Sequence, residues 1–123
     1  MSVQADLTNL QLNERQALIE FVRGLGARFA THLQTVWLYG SKARGDSTPT
    51  SDIDVLVILE GDDWRERKQI RYFAVDLNLK YDLDLSPRVW SAAQWHDVAA
   101  LGTHFYHNVQ REHIDLLQAL PLG

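Results

Sequence analysis

Cysteine is absent from all 123 residues, which excludes a disulfide framework and a thiolate zinc site. No apolar run approaches the roughly 18 residues that a membrane span needs. The start, MSVQADLTNLQLNER, lacks the basic segment and apolar stretch of a signal peptide, so the expected compartment is the cytoplasm. A basic excess is missing too: the net charge is −4 and the pI about 5.6. Proteins that grip a long nucleic acid carry a basic stripe to neutralise phosphates, so that partner is not expected, whereas a single nucleotide needs only a few charges and a metal. Repeats, low-complexity stretches and linkers are also absent. What remains, 46% hydrophobic and 23% charged, is ordinary globular composition, and residues 1–123 are expected to form one domain.

Periodicity gives the elements. Leu18, Phe21, Val22, Leu25, Phe29 and Leu33 recur at helical spacing, predicting an amphipathic helix over about 10–33. Gly24 and Gly26 weaken it by about 1 kcal/mol each. Thr35 to Tyr39 is β-branched and aromatic, a strand signal, and runs into Gly40-Ser41. Residues 42–51 hold Gly, Pro, Ser and Thr without an apolar run and read as a loop. Ile53 to Leu59 is almost wholly apolar from Val55 onward, as in a central strand. Trp64 to about Lys80 places Ile70, Phe73, Ala74 and Leu77 on one helical face. Tyr81 to Leu85 alternates with period two, predicting a strand, with Pro87 at an edge or near its end. Ser91 is a plausible N-cap for a short helix containing Trp95. After Gly102, a last helix is expected from Thr103 to about Leu120, with Phe105, Val109, Leu116 and Leu117 facing the core. The order predicts an α/β (α+β) fold, a small mixed sheet flanked by helices.

Three features carry chemistry: Gly40-Ser41 closing a strand, Asp52-Ile53-Asp54 opening the next, and Asp82-Leu83-Asp84 further on. Residues two apart on a strand share a face, about 6.6–7 Å apart. Two bare carboxylates at that distance repel by roughly 2.5 kcal/mol at an effective dielectric of 20. Such a cluster calls for a divalent cation or a shared proton. Mg²⁺ suits carboxylate and phosphate oxygens, and two ions can clamp the attacking and leaving oxygens of an in-line displacement at phosphorus. At Gly40 the backbone can approach a ligand without a Cβ clash. Successive N–H groups at such a turn can hold a phosphate, Ser41 can add a hydroxyl, and Lys42 and Arg44 could offset triphosphate charge.

Tyr39-Gly40-Ser41-Lys42-Ala43-Arg44-Gly45 followed by Ser51-Asp52-Ile53-Asp54 resembles the signature of the polymerase-β-type nucleotidyltransferase superfamily, and more narrowly the minimal nucleotidyltransferases. The match is strong over residues 36–59 and weaker through Tyr81-Asp82-Leu83-Asp84-Leu85-Ser86-Pro87 and Gly102 to Leu117. The resemblance implies the polymerase-β-like fold and transfer of AMP, or another NMP, from ATP or another NTP to a hydroxyl. It implies triphosphate binding by Gly40 and Ser41 and metal binding by Asp52 and Asp54. A third acid, which could also deprotonate the acceptor, falls at Asp82 in relatives with a similar Tyr-Asp-x-x-x-Ser-Pro stretch; Asp84 is the alternative. The resemblance also implies a partner. Many minimal nucleotidyltransferases are antitoxins (MntA type) encoded beside a HEPN-domain toxin, a ribonuclease whose tyrosine they adenylylate.

Two other functions compete. A binding antitoxin could block its partner by occlusion, but it would not require clustered carboxylates. Transfer to a small molecule such as an aminoglycoside would call for a second drug-holding domain, for which 123 residues leave little room. Arg65, Arg67, Lys68 and Arg71 read as a solvated helix face. His104 and His107, one turn apart, read as a polar face rather than a metal pair, and Trp37, Trp64, Trp90 and Trp95 as core or interface anchors.

Overall fold

The structure is a computed structural model and describes residues 7–120. The first six and last three residues of the expected domain lie outside the described residues. A 3₁₀ turn at Leu7–Asn9 precedes α1 (Leu12–Phe29), β1 (Leu33–Tyr39), a one-turn α2 (Ser41–Arg44), β2 (Ile53–Leu59), α3 (Trp64–Tyr81), β3 (Leu85–Ser91), α4 (Ala92–Leu101), α5 (His104–Glu112), β4 (Ile114–Asp115) and α6 (Leu116–Ala119). The sheet is mixed, in the order β3-β2-β1-β4: β1 runs antiparallel to β2 and β4, and β2 parallel to β3. The apolar strand β2 is internal, as its composition requires, and Pro87 lies on the edge strand β3, where a missing N–H is tolerated. Among the described residues no helix is long and apolar enough to cross a membrane.

Each strand alternates its side chains between two faces. Val36, Leu38, Ile53, Val55, Val57, Leu59 and Leu85 pack against Leu18, Phe21, Val22 and Leu25 of α1 and Ile70, Ala74 and Leu77 of α3. Full burial of each large apolar side chain there stabilises the fold by about 1.5–3 kcal/mol. The opposite face carries a smaller cluster, Tyr39, Leu56, Ile58 and Val109, lined by Trp37, Trp90, Trp95 and Phe105. Three of the tryptophans are therefore anchors of that cluster, while Trp64 is exposed.

Gly24 and Gly26 do not interrupt α1. At Gly24 the ring of Phe73 from α3 sits where a Cβ would be, so the glycine permits close helix approach. Other elements differ from expectation. The helix expected over 10–33 is shorter and β1 begins two residues before Thr35, because His32 and Glu60 close the β1–β2 end through a backbone hydrogen bond of 2.7 Å. The expected loop over 42–51 opens with the helical turn α2, capped by Gly45 in the left-handed region (φ 88°). The expected last helix is broken: His113 leaves the helix and Ile114 and Asp115 pair with Leu38 and Trp37.

The largest correction concerns Tyr81 to Leu85. The alternation Tyr-Asp-Leu-Asp-Leu predicts a strand, yet α3 continues through Tyr81 and Asp82 is its C-cap in the left-handed region (φ 54°, ψ 60°). Asn78 enforces the turn. Its carbonyl accepts the N–H of Asp82 and of Leu83 (3.3 Å for the latter), while its side chain accepts from Leu85 N (2.7 Å) and donates to Leu85 O (3.1 Å). Pairing with β2 can start only at Leu85, opposite Ile53. Asp82 and Asp84 therefore do not share a strand face.

Candidate active site

Sheet register assembles the acidic cluster. Tyr39 lies opposite Asp54 on β1, and Ser86 lies opposite Asp54 on β3. One step before the ladder, the N–H of Ile53 donates to the carbonyl of Asp84 (2.9 Å), which sets Asp84 beside Asp52. The Asp84 carboxyl is pushed above the usual carboxylate range by its hydrogen bond to Asp52 and by that neighbour's negative charge. Half-buried Asp54 is also pushed up, by burial first and by Asp52 second, with Arg88 and Arg44 opposing and Asp84 reinforcing. Tyr39 is raised as well, by burial and by the Asp54 charge. Asp82 has no part in these interactions. It is exposed and lines a polar cavity of about 440 Å³ together with Asp84, Gln11, Asn13 and Thr50. Thus the structure gathers Asp52, Asp54 and Asp84, and leaves Asp82 outside.

Gly40 passes directly over this cluster. Its backbone (φ 78°, ψ −157°) lies in a region open essentially to glycine alone. A Cβ there would fall 2.5 Å from Oδ2 of Asp54. Ser41 follows as the first residue of α2. The strand end, the tight turn and the carboxylates therefore converge at one end of the sheet.

The basic residues of the loop behave differently from expectation. Lys42 is not an open loop cation as that reading supposed. Its side chain is 2% exposed, its ammonium lies 2.6 Å from Glu14 Oε2, and it donates to the carbonyl of Thr48 at 3.1 Å. Helix α2 turns the residue inward against α1, where Glu14 also closes the N-terminal capping box by accepting from Gln11 N (2.8 Å). Arg44 is exposed but engaged, with Asp46 (3.1 Å) and with Glu112 (3.2 Å). Glu112 Oε1 also accepts the N–H of Gly40 at 3.2 Å. Two residues that sequence reasoning missed thus belong to the site. Glu112 had no local signal, since it arrives from the end of α5. Arg88 follows from β3 register, two residues beyond Ser86 on the Asp54 face.

Among the described residues, no three His, Asp or Glu side chains converge as a metal centre. The donor set nevertheless suits a hard cation. Asp52, Asp54 and Asp84 supply only carboxylate oxygens, and the raised proton affinity of Asp54 and Asp84 marks a negative field that a divalent ion would relieve. His104 and His107 are exposed on α5, as expected of a polar face.

The nucleotidyltransferase domain family matches residues 18–109, well over half of the sequence. The chain belongs to that family. Two curated relatives come from Methanocaldococcus jannaschii, and both are named as candidate protein adenylyltransferases. One is 43% identical over 47 residues, covering 38% of this chain and 47% of the relative. The other is 36% identical over 72 residues, covering 58% of this chain and 73% of the relative. The match thus spans about half the length of the first and nearly three quarters of the second. Among solved structures, a chain of a toxin–antitoxin complex crystallised with AMP-PNP superposes with a TM-score of 0.54 at 20% identity, over 80% of this chain and 71% of that one. The likeness establishes a shared fold.

Proposed function

We propose that this chain is a Mg²⁺-dependent protein adenylyltransferase that moves AMP from ATP to a hydroxyl, most simply a tyrosine of a HEPN-type toxin partner, and thereby acts as an antitoxin. The single observation that carries the reading is the Gly40 backbone lying against Asp54 with Asp52 and Asp84 alongside. That arrangement brings a phosphate-holding turn and a carboxylate cluster within one nucleotide's reach. The names of the two archaeal relatives and the toxin–antitoxin neighbour support the substrate and partner class. Residues 1–123 would work as a single cytoplasmic domain.

In this mechanism Gly40 and Ser41 hold the triphosphate through backbone N–H groups and the Ser41 hydroxyl. Asp52 and Asp54, with Asp84, would hold two Mg²⁺ ions, which supply charge neutralisation at the attacking and leaving oxygens. The acceptor oxygen attacks the α-phosphorus in line. A new O–P bond forms, the bond from the α-phosphorus to the bridging oxygen breaks, and pyrophosphate departs with that electron pair. The acceptor proton would pass to Asp84 as general base.

The test is to incubate the full chain with Mg²⁺, ATP labelled at the α-phosphate and the HEPN-type protein of the same host, and to locate the label by mass spectrometry. Label on a partner tyrosine is expected with the wild type and not with Asp54→Asn. Absence of transfer, together with no thermal stabilisation by Mg²⁺-ATP, would sink the proposal.

A further inference from the structure

A triphosphate brings several negative charges to a site already crowded with Asp52, Asp54 and Asp84. Divalent ions offset part of that charge, and a side-chain cation is the usual supplement. Of the two loop cations, Lys42 is buried on Glu14, and Arg44 is exposed but shared with Asp46 and Glu112, so it is open to a triphosphate only if Glu112 is displaced. Arg88 differs from both. Register places it opposite Leu56 and one same-face step past Ser86, the partner of Asp54, so it projects from the face that carries Asp54. Among the described residues no carboxylate lies within ion-pairing distance of it. Its guanidinium rests over the Phe105 ring, 5.1 Å from the centroid, which fixes the stem while leaving the N–H fork open. The side chain is exposed; the groove of about 420 Å³ that it borders is lined also by Arg67, Val89, Trp90 and Gln94 and by no residue of the acidic cluster. The fork therefore has space for a ligand.

We infer that Arg88 is a binding residue for the donor triphosphate, taking the place that sequence reasoning gave to Lys42. Resting on the nucleotidyltransferase reading above, the inference adds a residue that the Gly-Ser and Asp-x-Asp motifs do not contain. A planar guanidinium presents parallel N–H donors that match a phosphate edge. Its position on Phe105 would orient the fork before the nucleotide arrives, so little side-chain freedom is lost on binding. The chemistry sets a specificity: the contribution should grow with the number of phosphates and be small for a monophosphate.

The experiment measures binding of ATP, ADP and AMP to the full chain in Mg²⁺ by calorimetry, for wild type, Arg88→Met and Arg88→Lys. Methionine keeps the apolar stem on Phe105 and removes the charge; lysine keeps the charge and loses the fork. Arg88→Met should weaken ATP binding by about tenfold or more, the scale of a lost charge-assisted hydrogen bond, and leave AMP binding within about twofold. Arg88→Lys should fall between. Equal losses for ATP and AMP, or no loss for ATP, overturn the assignment, as does a variant that binds ATP normally but fails only in transfer to the acceptor. Should Arg88→Met fold poorly, Arg88→Lys decides alone: a reduced ATP-over-AMP preference supports the assignment, and an unchanged one overturns it. Failure of the wild type to bind ATP at all would instead refute the nucleotidyltransferase reading itself.

Discussion

A Cβ placed on Gly40 would lie 2.5 Å from the Asp54 Oδ2 oxygen. The neighbour is the tip of a short acidic side chain, so the turn or that side chain must shift. Gly40→Ala should therefore both strain the backbone, at about 1–3 kcal/mol, and push Asp54 out of the cluster. We expect a lower melting temperature and loss of the rise that Mg²⁺-ATP gives the wild type. A Gly40→Ala protein that melts and transfers like wild type would show that this contact is dispensable.

The acidic cluster predicts a pH-dependent cost. Asp54 has a folded-state pKa raised above its unfolded value, chiefly by burial and by Asp52. Its protonated form is thus favoured by folding. That contribution is fully present below the unfolded carboxylate value, roughly pH 4, and is lost as pH rises through the higher folded value. Asp54→Asn removes the titration. In EDTA it should melt a few degrees above wild type at neutral pH, and the gap should close as the pH is lowered through the carboxylate range. A variant that melts well below wild type at pH 7 would mean that Asp54 is structural.

The third carboxylate separates cleanly. Asp82 and Asp84 both line the same cavity, but Asp84 abuts Asp52, whereas Asp82 is the C-cap of α3. Transfer by Asp84→Asn should fall by about a hundredfold, the scale of lost general-base catalysis. Asp82→Asn should stay within a fewfold of wild type. Single-turnover rates of both variants decide the matter, and the opposite order would return the role to Asp82.

Lys42 and Glu14 form an ion pair whose side chains are 2% and 4% exposed. Breaking a buried pair leaves one charge uncompensated and typically costs about 3–5 kcal/mol. Lys42→Met and Glu14→Gln should each destabilise on that scale in urea, and the double variant should lose far less than the sum. Folded Lys42→Met should bind ATP with near wild-type affinity. If its affinity collapses while the fold holds, Lys42 has the phosphate role after all.

Glu112 occupies donors that a triphosphate would want, the N–H of Gly40 and the Arg44 guanidinium. Nucleotide entry should displace it. Glu112→Gln keeps the shape and removes the negative charge, so ATP affinity should rise by about twofold to fivefold, the scale of a surface charge contact. Unchanged or weaker ATP binding, measured by calorimetry, would recast Glu112 as a support for the Gly40 turn.

Much of this was written in local sequence. Gly40-Ser41 and Asp52-x-Asp54 are short-range signals: a strand end, a residue without Cβ, and two carboxylates on one face follow from spacing alone. The apolar run from Val55 to Leu59 fixed β2 as an internal strand for the same reason, since only a strand covered on both sides can be apolar at successive positions. The resemblance carried by those motifs fixed the family.

Other features needed the folded chain, because they depend on groups far apart in sequence. Alternation at Tyr81 to Leu85 is compatible with a strand, but a strand also needs a ladder partner, and Asn78 delays pairing until Leu85. That delay puts Asp84, and not Asp82, against Asp52. Whether a lysine is free or buried depends on what the helix behind it offers, and Glu14, 28 positions earlier in the numbering, settled Lys42 inward. Glu112 reaches Gly40 from the end of α5, and Arg88 reaches the Asp54 face only through the parallel register of β3 on β2. Residue types and spacing determined what chemistry this protein carries. Long-range packing decided which charges remain open to perform it, because burial and pairing of a charge are properties of its neighbours in space.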